Sequence, residues 1–259
     1  MLKIESLEPS DYSEAEGGEE TEDDELGEGL EADAAKVYTV TRLAPGVKDA
    51  NRVNVFLDGK FAFSLDLAQV VEFNVKVGQK VDAERLASLK SASEFGKLYQ
   101  RTLEWVLTRP HSIRETQDYF RRRKLKRAQL NRQRVREGKR ELPEIQDEHM
   151  KMVTERLIKK GYLDDRKFAL FYIENRYVRR GISRKRLRLE LRKKGVSEAI
   201  IQEALAEQPR DEQAEIKKII AKKRRRYDDQ QLIGYLVRQG FEYQMAKTTV
   251  EEYGENAED

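Results

Sequence analysis

Two hydrophobic rhythms divide the chain. Between residues 37 and 66, apolar positions alternate with polar ones: Val53, Val55 and Leu57, then Phe61, Phe63 and Leu65, either side of Asp58-Gly59. Period-two runs flanking Asp-Gly predict a hairpin with a tight turn. Residues 37–43 predict a further strand, and Asp66 is placed to cap a short helix, LAQVVEF. Residues 75–79 return as a strand or turn, and Asp82 opens a helix through Leu86 and Leu89. From Glu94 the apolar spacing becomes three or four, and the rest of the chain predicts helices. Leu98, Thr102, Leu103, Trp105 and Val106 form the first such face.

The most regular helical stretch is GYLDDRKFALFYIENRYVRRGISRKRLRLELRKKGVSEAIIQEAL, residues 161–205. It predicts three short helices. Asp164 and Asp165 suit the first N-terminus, Ser183 the second and Ser197 the third, while Gly181 and Gly195 end the first two. The inward faces are Phe168, Phe171, Tyr172 and Tyr177, then Leu187 and Leu191, then Ile200, Ile201, Ala204 and Leu205. A unit of this size buries little alone, so neighbours are expected. The chain supplies them. SRKRLRLELRKKG from Ser183 matches DDQQLIGYLVRQG from Asp228, placing Leu187 on Leu232, Leu191 on Leu236 and Gly195 on Gly240. SIRETQDYFRRRK from Ser112 is a third copy, with Lys124 in the glycine's place. Chance self-similarity among helices is the competing explanation. The Leu187–Leu191 seam is read as joining the middle copy to its neighbours.

The expected fold is therefore mainly α: a curved array of three tandem three-helix repeats, preceded by a small α+β module built on the β-hairpin. Boundaries fall at 1–36 (a disordered acidic tail), 37–92 (the hairpin module), 93–161 (repeat 1), 162–208 (repeat 2), 209–253 (repeat 3) and 254–259 (a loose C-terminus). Repeat 1 carries about 23 extra residues near 124–146. Residues 121–140 hold 11 basic side chains and one acid, and predict a helix extended beyond the repeat that returns through a loop. A third helix resumes near His149, with Met152, Val153 and Leu157 inward. In the last copy Ile216, Ile219 and Ile220 face the core, with Leu232, Leu236, Phe241, Met245 and Val250.

Composition sharpens this. Charged and hydrophobic residues each make up 38% of the 259, a balance that favours thin helical layers over one large core. There is no cysteine, which removes disulfides and thiolate metal sites and agrees with a cytoplasmic setting. No apolar run approaches membrane-helix length. The net charge of +3 conceals a polarity: residues 1–36 hold 14 acidic and 2 basic side chains, leaving 34 acidic and 49 basic in the remainder. So basic a body points to a polyanion or an acidic protein surface as partner; a solvated, arginine-rich helical surface is the plainer account. The tail either mimics nucleic acid within the molecule or simply confers solubility.

No enzyme constellation is present. The chain lacks a phosphate-binding glycine loop, a G-x-S-x-G elbow and HExxH. His111 lies in the turn of Arg109-Pro110-His111-Ser112, and His149 has no ligand partner at metal spacing. No cofactor is implied. The candidate contacts to nucleic acid are all cations: Arg121, Arg122, Arg123, Arg132, Arg134 and Arg136 in the first copy; Arg179, Arg180, Arg184, Lys185, Arg186, Arg188, Arg192, Lys193 and Lys194 in the middle one; Lys222, Lys223, Arg224, Arg225 and Arg226 in the third. Such contacts would be salt-sensitive and blind to base sequence. No aromatic stacking platform is evident.

With these segments in place, the chain resembles the RecX family of regulatory proteins. The resemblance rests on RPHSIRETQDYF, on the 161–205 stretch with its Gly-Tyr-Leu-Asp-Asp, Gly-x-Ser and Leu-x-x-x-Leu-x-x-x-Gly pattern, and on DDQQLIGYLVRQGF. It covers roughly residues 37–253; the acidic tail and the insertion at 124–146 fall outside it. It implies a non-enzymatic, cytoplasmic monomer that binds the RecA recombinase and its filament on single-stranded DNA, with double-stranded DNA as a second target and no membrane association. Such a protein restrains RecA's ATPase and strand exchange in recombination, repair and the SOS response. A general DNA- or RNA-binding protein without a recombinase partner is the alternative.

Overall fold

The computed structural model describes residues 36–46, 49 and 51–255; the acidic tail and the last four residues lie outside them. The fold is mainly α, with ten helices and four short strands among the described residues. It divides into two compact units, one of residues 36–109 and 117–162, the other of residues 110–116 and 163–255.

In the first unit, β1 (Tyr38–Pro45), β2 (Arg52–Leu57), β3 (Lys60–Asp66) and β4 (Lys80–Val81) form an antiparallel sheet in the order β3-β2-β1-β4. The hairpin closes where the sequence places it: Asp58 and Gly59 both take positive φ, 50° and 81°, and Leu57 pairs with Lys60. One sheet face buries Val55, Leu57, Phe63 and Leu65. Helix α1 (Leu67–Glu72) starts at Asp66, which forms a reciprocal capping box with Gln69. Helix α2 (Ala83–Leu107) runs 25 residues from its Asp82 cap, unbroken across the expected boundary between residues 92 and 93. It covers the sheet with Leu86 and Leu89, and Ser93 Oγ donates to the Ser64 carbonyl at 2.6 Å.

Helix α3 (Ile113–Arg136) is the long basic helix expected at the insertion. Its return segment is fastened to it: Asn131 Nδ2 donates to the Leu142 carbonyl, and Asn131 Oδ1 accepts the Leu142 N–H, each at 2.9 Å. Arg127 Nη1 donates to the Pro143 carbonyl at 3.0 Å. Helix α4 (Asp147–Lys159) then buries Val153 and Leu157 as expected. Met152 does not join them; it is 43% exposed, and His149 occupies the buried face instead. The three positions 149, 153 and 157 are four apart, whereas 152 turns about 100° from 153 on an α-helix.

The second unit contains α5 (Asp165–Asn175), α6 (Arg184–Lys193), α7 (Glu198–Glu207), α8 (Glu212–Lys223), α9 (Asp229–Arg238) and α10 (Tyr243–Glu255), plus the first turn of α3. Asp164, Ser183, Ser197, Asp211 and Asp228 cap α5, α6, α7, α8 and α9 through their side chains. Two separate apolar clusters result, one built from α5–α7 around Phe168, Leu187, Leu191 and Ile201, the other from α8–α10 around Ile216, Ile220, Leu232 and Leu236. Each fully buried leucine contributes about 1.5–3 kcal/mol. The Leu187–Leu191 pair therefore closes its own three-helix core rather than joining it to its neighbours.

The joints are polar, and they repeat. Ser112 Oγ donates to the Lys194 carbonyl at 2.7 Å, and Ser183 Oγ to the Gln239 carbonyl at 2.6 Å. The next N–H in each case, from Ile113 or Arg184, donates at 2.9 Å to the first carboxylate of a following helix, Asp165 of α5 or Glu212 of α8. The glycine after each carbonyl lies hard against the next residue: a Cβ on Gly195 would sit 2.6 Å from Arg114 Cβ, and one on Gly240 3.3 Å from Lys185 Cβ. Residues matched in sequence thus make matched contacts.

Candidate nucleic-acid interface

The second unit has a basic cleft of about 300 Å³. Tyr177, Arg180 and Gly181 line it from the turn after α5, Arg186 from α6, Ile219, Lys222 and Lys223 from α8, and Tyr235 and Gln239 from the end of α9. Four cations and no carboxylate line it. Gly181 makes this construction feasible. Its φ is +79°, and a side chain there would overlap the Glu215 carbonyl and sit 2.9 Å from Ile219 Cγ1, so only glycine lets the turn lie directly on α8.

Helix α5 ends at Asn175 rather than running through Tyr177. Tyr177 takes φ +50°, rare for a bulky residue. The conformation is held from several sides. Its carbonyl accepts from the N–H of Arg180 and of Gly181 at 2.9 and 3.0 Å, Arg176 Nη2 donates to its hydroxyl at 3.0 Å, and the Arg176 guanidinium lies 3.9 Å from its ring centroid. Glu190 anchors this wall, accepting from Tyr172 Oη at 2.7 Å, Arg176 Nε at 2.8 Å and Arg186 Nε at 3.2 Å. Burial opposes its ionisation, but the bonds from Arg176 and Tyr172 overcome that and hold the carboxyl below its ordinary range. Burial and the same carboxylate push the Tyr172 hydroxyl the other way, far above its ordinary value. Arg186 also donates to Gln239.

On the far side of the cleft, Lys223 Nζ lies 5.0 Å from the Tyr235 ring and 5.6 Å from that of Tyr227, two rings stacked at 6.0 Å. Neither Lys222 nor Lys223 forms an ion pair among the described residues. A buried clamp sets α8 in place beneath: Glu215 accepts from Arg210 Nη2 at 2.9 Å, Lys218 Nζ at 2.7 Å and the Ile182 N–H at 2.9 Å.

The cations expected from the sequence separate into groups. Arg180, Arg186, Lys222 and Lys223 meet at the cleft. Arg179, Arg184, Lys185, Lys193, Arg225 and Arg226 are exposed without ion pairs among the described residues. Arg188 and Arg192 share Glu198, at 2.7 and 4.0 Å, and Lys194 pairs with Glu115 at 2.7 Å. Arg224 pairs with Asp229 at 3.3 Å. The six arginines of α3 belong to the other unit. Arg122, Arg132 and Arg136 are exposed there, Arg121 pairs with Asp118 at 3.0 Å, and Arg134 Nε donates to the Arg140 carbonyl. Arg123 is turned inward, 9% exposed, with its guanidinium over Tyr119; an exposed contact is not available to it. That unit's larger cleft, about 490 Å³ beside Phe120 and Met150, carries acids among its cations, including the Lys124–Asp147 pair at 2.6 Å. It lacks the one-sided charge of the first.

Sequence reasoning missed the tyrosines. The signal was present in Tyr227, which directly follows the run of cations 222–226, and in Tyr235 two helical turns on. What concealed it was that Tyr177 reaches the cleft only through a left-handed turn. Among the described residues, no group of three or more His, Asp or Glu is arranged to hold a metal ion, and no helix is long and apolar enough to cross a membrane.

Comparison with known proteins places these elements. Residues 164–205 match the family model described as RecX, second three-helix domain, and residues 38–82 the regulatory protein RecX N-terminal domain. In both segments the chain is similar to RecX regulatory proteins. Similar relatives include the regulatory protein RecX of Bacillus licheniformis, 25% identical over 82% of this chain and 76% of the relative. That of Oceanobacillus iheyensis is 27% identical over 71% and 62%. A crystal structure of regulatory protein RecX shares the fold at a TM-score of 0.59, with 20% identity, over 83% of this chain and 99% of that one. The matched RecX segment 164–205 supplies one wall of the basic cleft, and α8 and α9 supply the other.

Proposed function

We propose that this chain is a non-enzymatic regulator that binds the RecA recombinase and its filament on single-stranded DNA and restrains ATP hydrolysis and strand exchange. Similarity to RecX regulatory proteins suggests the class of partner. The observation that carries the reading is the cleft of four cations and no carboxylate, with exposed cations close by in the chain at Arg179, Arg184, Lys185, Arg225 and Arg226. A nucleoprotein filament presents phosphates and acidic side chains together, and both suit such a surface. The test is RecA ATPase on single-stranded DNA with this protein below one copy per RecA. Inhibition exceeding what removal of DNA explains is expected. Inhibition matching DNA removal alone would leave a general nucleic-acid-binding protein and end the recombinase reading.

A further inference from the structure

The tyrosines give the cleft a second property that its charge does not explain. A surface that only met acidic side chains or duplex phosphates would need cations alone. Here a planar ring, Tyr235, stands in the same recess as Lys222, Lys223 and Arg180. Its neighbour Tyr227 stacks on it at 6.0 Å with 30° between the rings, which extends the aromatic surface. Tyr177 plays a different part: the Arg176 guanidinium already lies on its ring at 3.9 Å, so it serves as a wall. The volume, about 300 Å³, lies at the small end for a ligand pocket and suits a single nucleotide. A duplex keeps its bases stacked inside, away from a recessed ring; an unpaired strand can turn one outward.

From this we infer that the cleft holds one nucleotide of an unpaired strand, its phosphate on Lys222, Lys223 and Arg180 and its base against Tyr235. The inference rests on the proposed action at single-stranded DNA and names the site. Charge and stacking are then separable in one place. The cations set the salt dependence. The ring sets the preference for single strands over duplex and over other polyanions.

The full chain is titrated, without RecA, against a fluorescent oligothymidylate strand, with a duplex of equal length and polyglutamate as competitors. Tyr235→Leu weakens oligothymidylate binding by about fivefold or more, while Tyr235→Phe keeps the ring and binds as the parent does. Lys222→Gln lowers the slope of log affinity against log salt by about 0.7, the share of one single-strand phosphate. Circular dichroism shows that each variant is folded. The inference is overturned if Tyr235→Leu, folded, binds as the parent does, or if polyglutamate or duplex competes as well as the single strand. Measuring RecA ATPase with the same proteins keeps the two readings apart. A parent that restrains RecA while the cleft variants bind DNA normally removes the cleft and leaves the function. A parent without effect on RecA whose Tyr235→Leu variant loses the single strand removes the function and leaves the cleft.

Discussion

At Glu215 one carboxylate, 3% exposed, satisfies two cations and a backbone N–H from the turn before α6. Glu215→Ala would strand the largely buried Arg210 and orphan the Ile182 N–H. Breaking one side of such a pair costs about 3–5 kcal/mol, so a fall in the urea midpoint with an unchanged slope is expected; a loss below about 1 kcal/mol would show the clamp to be incidental. His149 makes a prediction of opposite character. Burial holds its imidazole below the ordinary value, only partly offset by Glu94 and Glu148, and Ser91 Oγ lies 3.0 Å from Nε2. Folding therefore favours the neutral ring. The unfolded chain takes up the proton first as the pH falls below about 6.5, so this contribution is complete above that value and is lost through the folded pKa. Unfolding free energy should drop between about pH 7 and 5, and less steeply in His149→Gln; parallel curves would refute the assignment.

At the scale of elements, the insertion in α3 is not a bare projection. Asn131 imitates a strand partner for Leu142, donating and accepting as a backbone would. Asn131→Ala leaves two buried backbone groups unsatisfied, at about 1–3 kcal/mol each, while α3 keeps its helical ladder. Limited proteolysis should then cut residues 137–146 sooner, with α2 and α4 unaffected; cleavage at the parent's rate would show that the bonds from Arg127 and Arg134 hold the loop without Asn131. This tether was illegible in the sequence because it joins residues 11 apart across a bend. Where local chemistry decides, the sequence spoke clearly: Asp58-Gly59 for the hairpin, Ser183 and Asp228 for the caps, Leu187 with Leu191 for a face. Where the outcome turned on the third dimension it did not. Met152 has the right residue type for a core, but its rotation on α4 leaves it exposed; Tyr177 packs on the α5–α7 cluster as expected, and a left-handed turn after α5 brings it to the cleft as well. The cations of the cleft were legible one by one, but their convergence was not, since Arg186 and Lys222 are 36 positions apart.

The whole molecule pairs a basic body with an acidic first segment, 14 acids against 2 bases in residues 1–36. If it acts as a polyanion mimic, such a segment would compete with nucleic acid for the same cations at a local concentration set by its own tether. Deleting residues 1–36 should tighten single-strand binding, most at low salt, where charges are least screened; equal affinity at every salt concentration would leave the segment a solubiliser. A different consequence follows from the paired joints of the second unit. Its two apolar clusters do not merge, and what passes between them is mostly polar: a hydroxyl, an amide hydrogen, the Arg186–Gln239 bond and the Glu215 clamp, with the Gly181 turn resting on α8. Neighbours coupled this thinly behave as links with their own stabilities. The α8–α10 link can therefore open while α5–α7 stays closed, and the cleft, which needs both, is the first feature lost and the last regained.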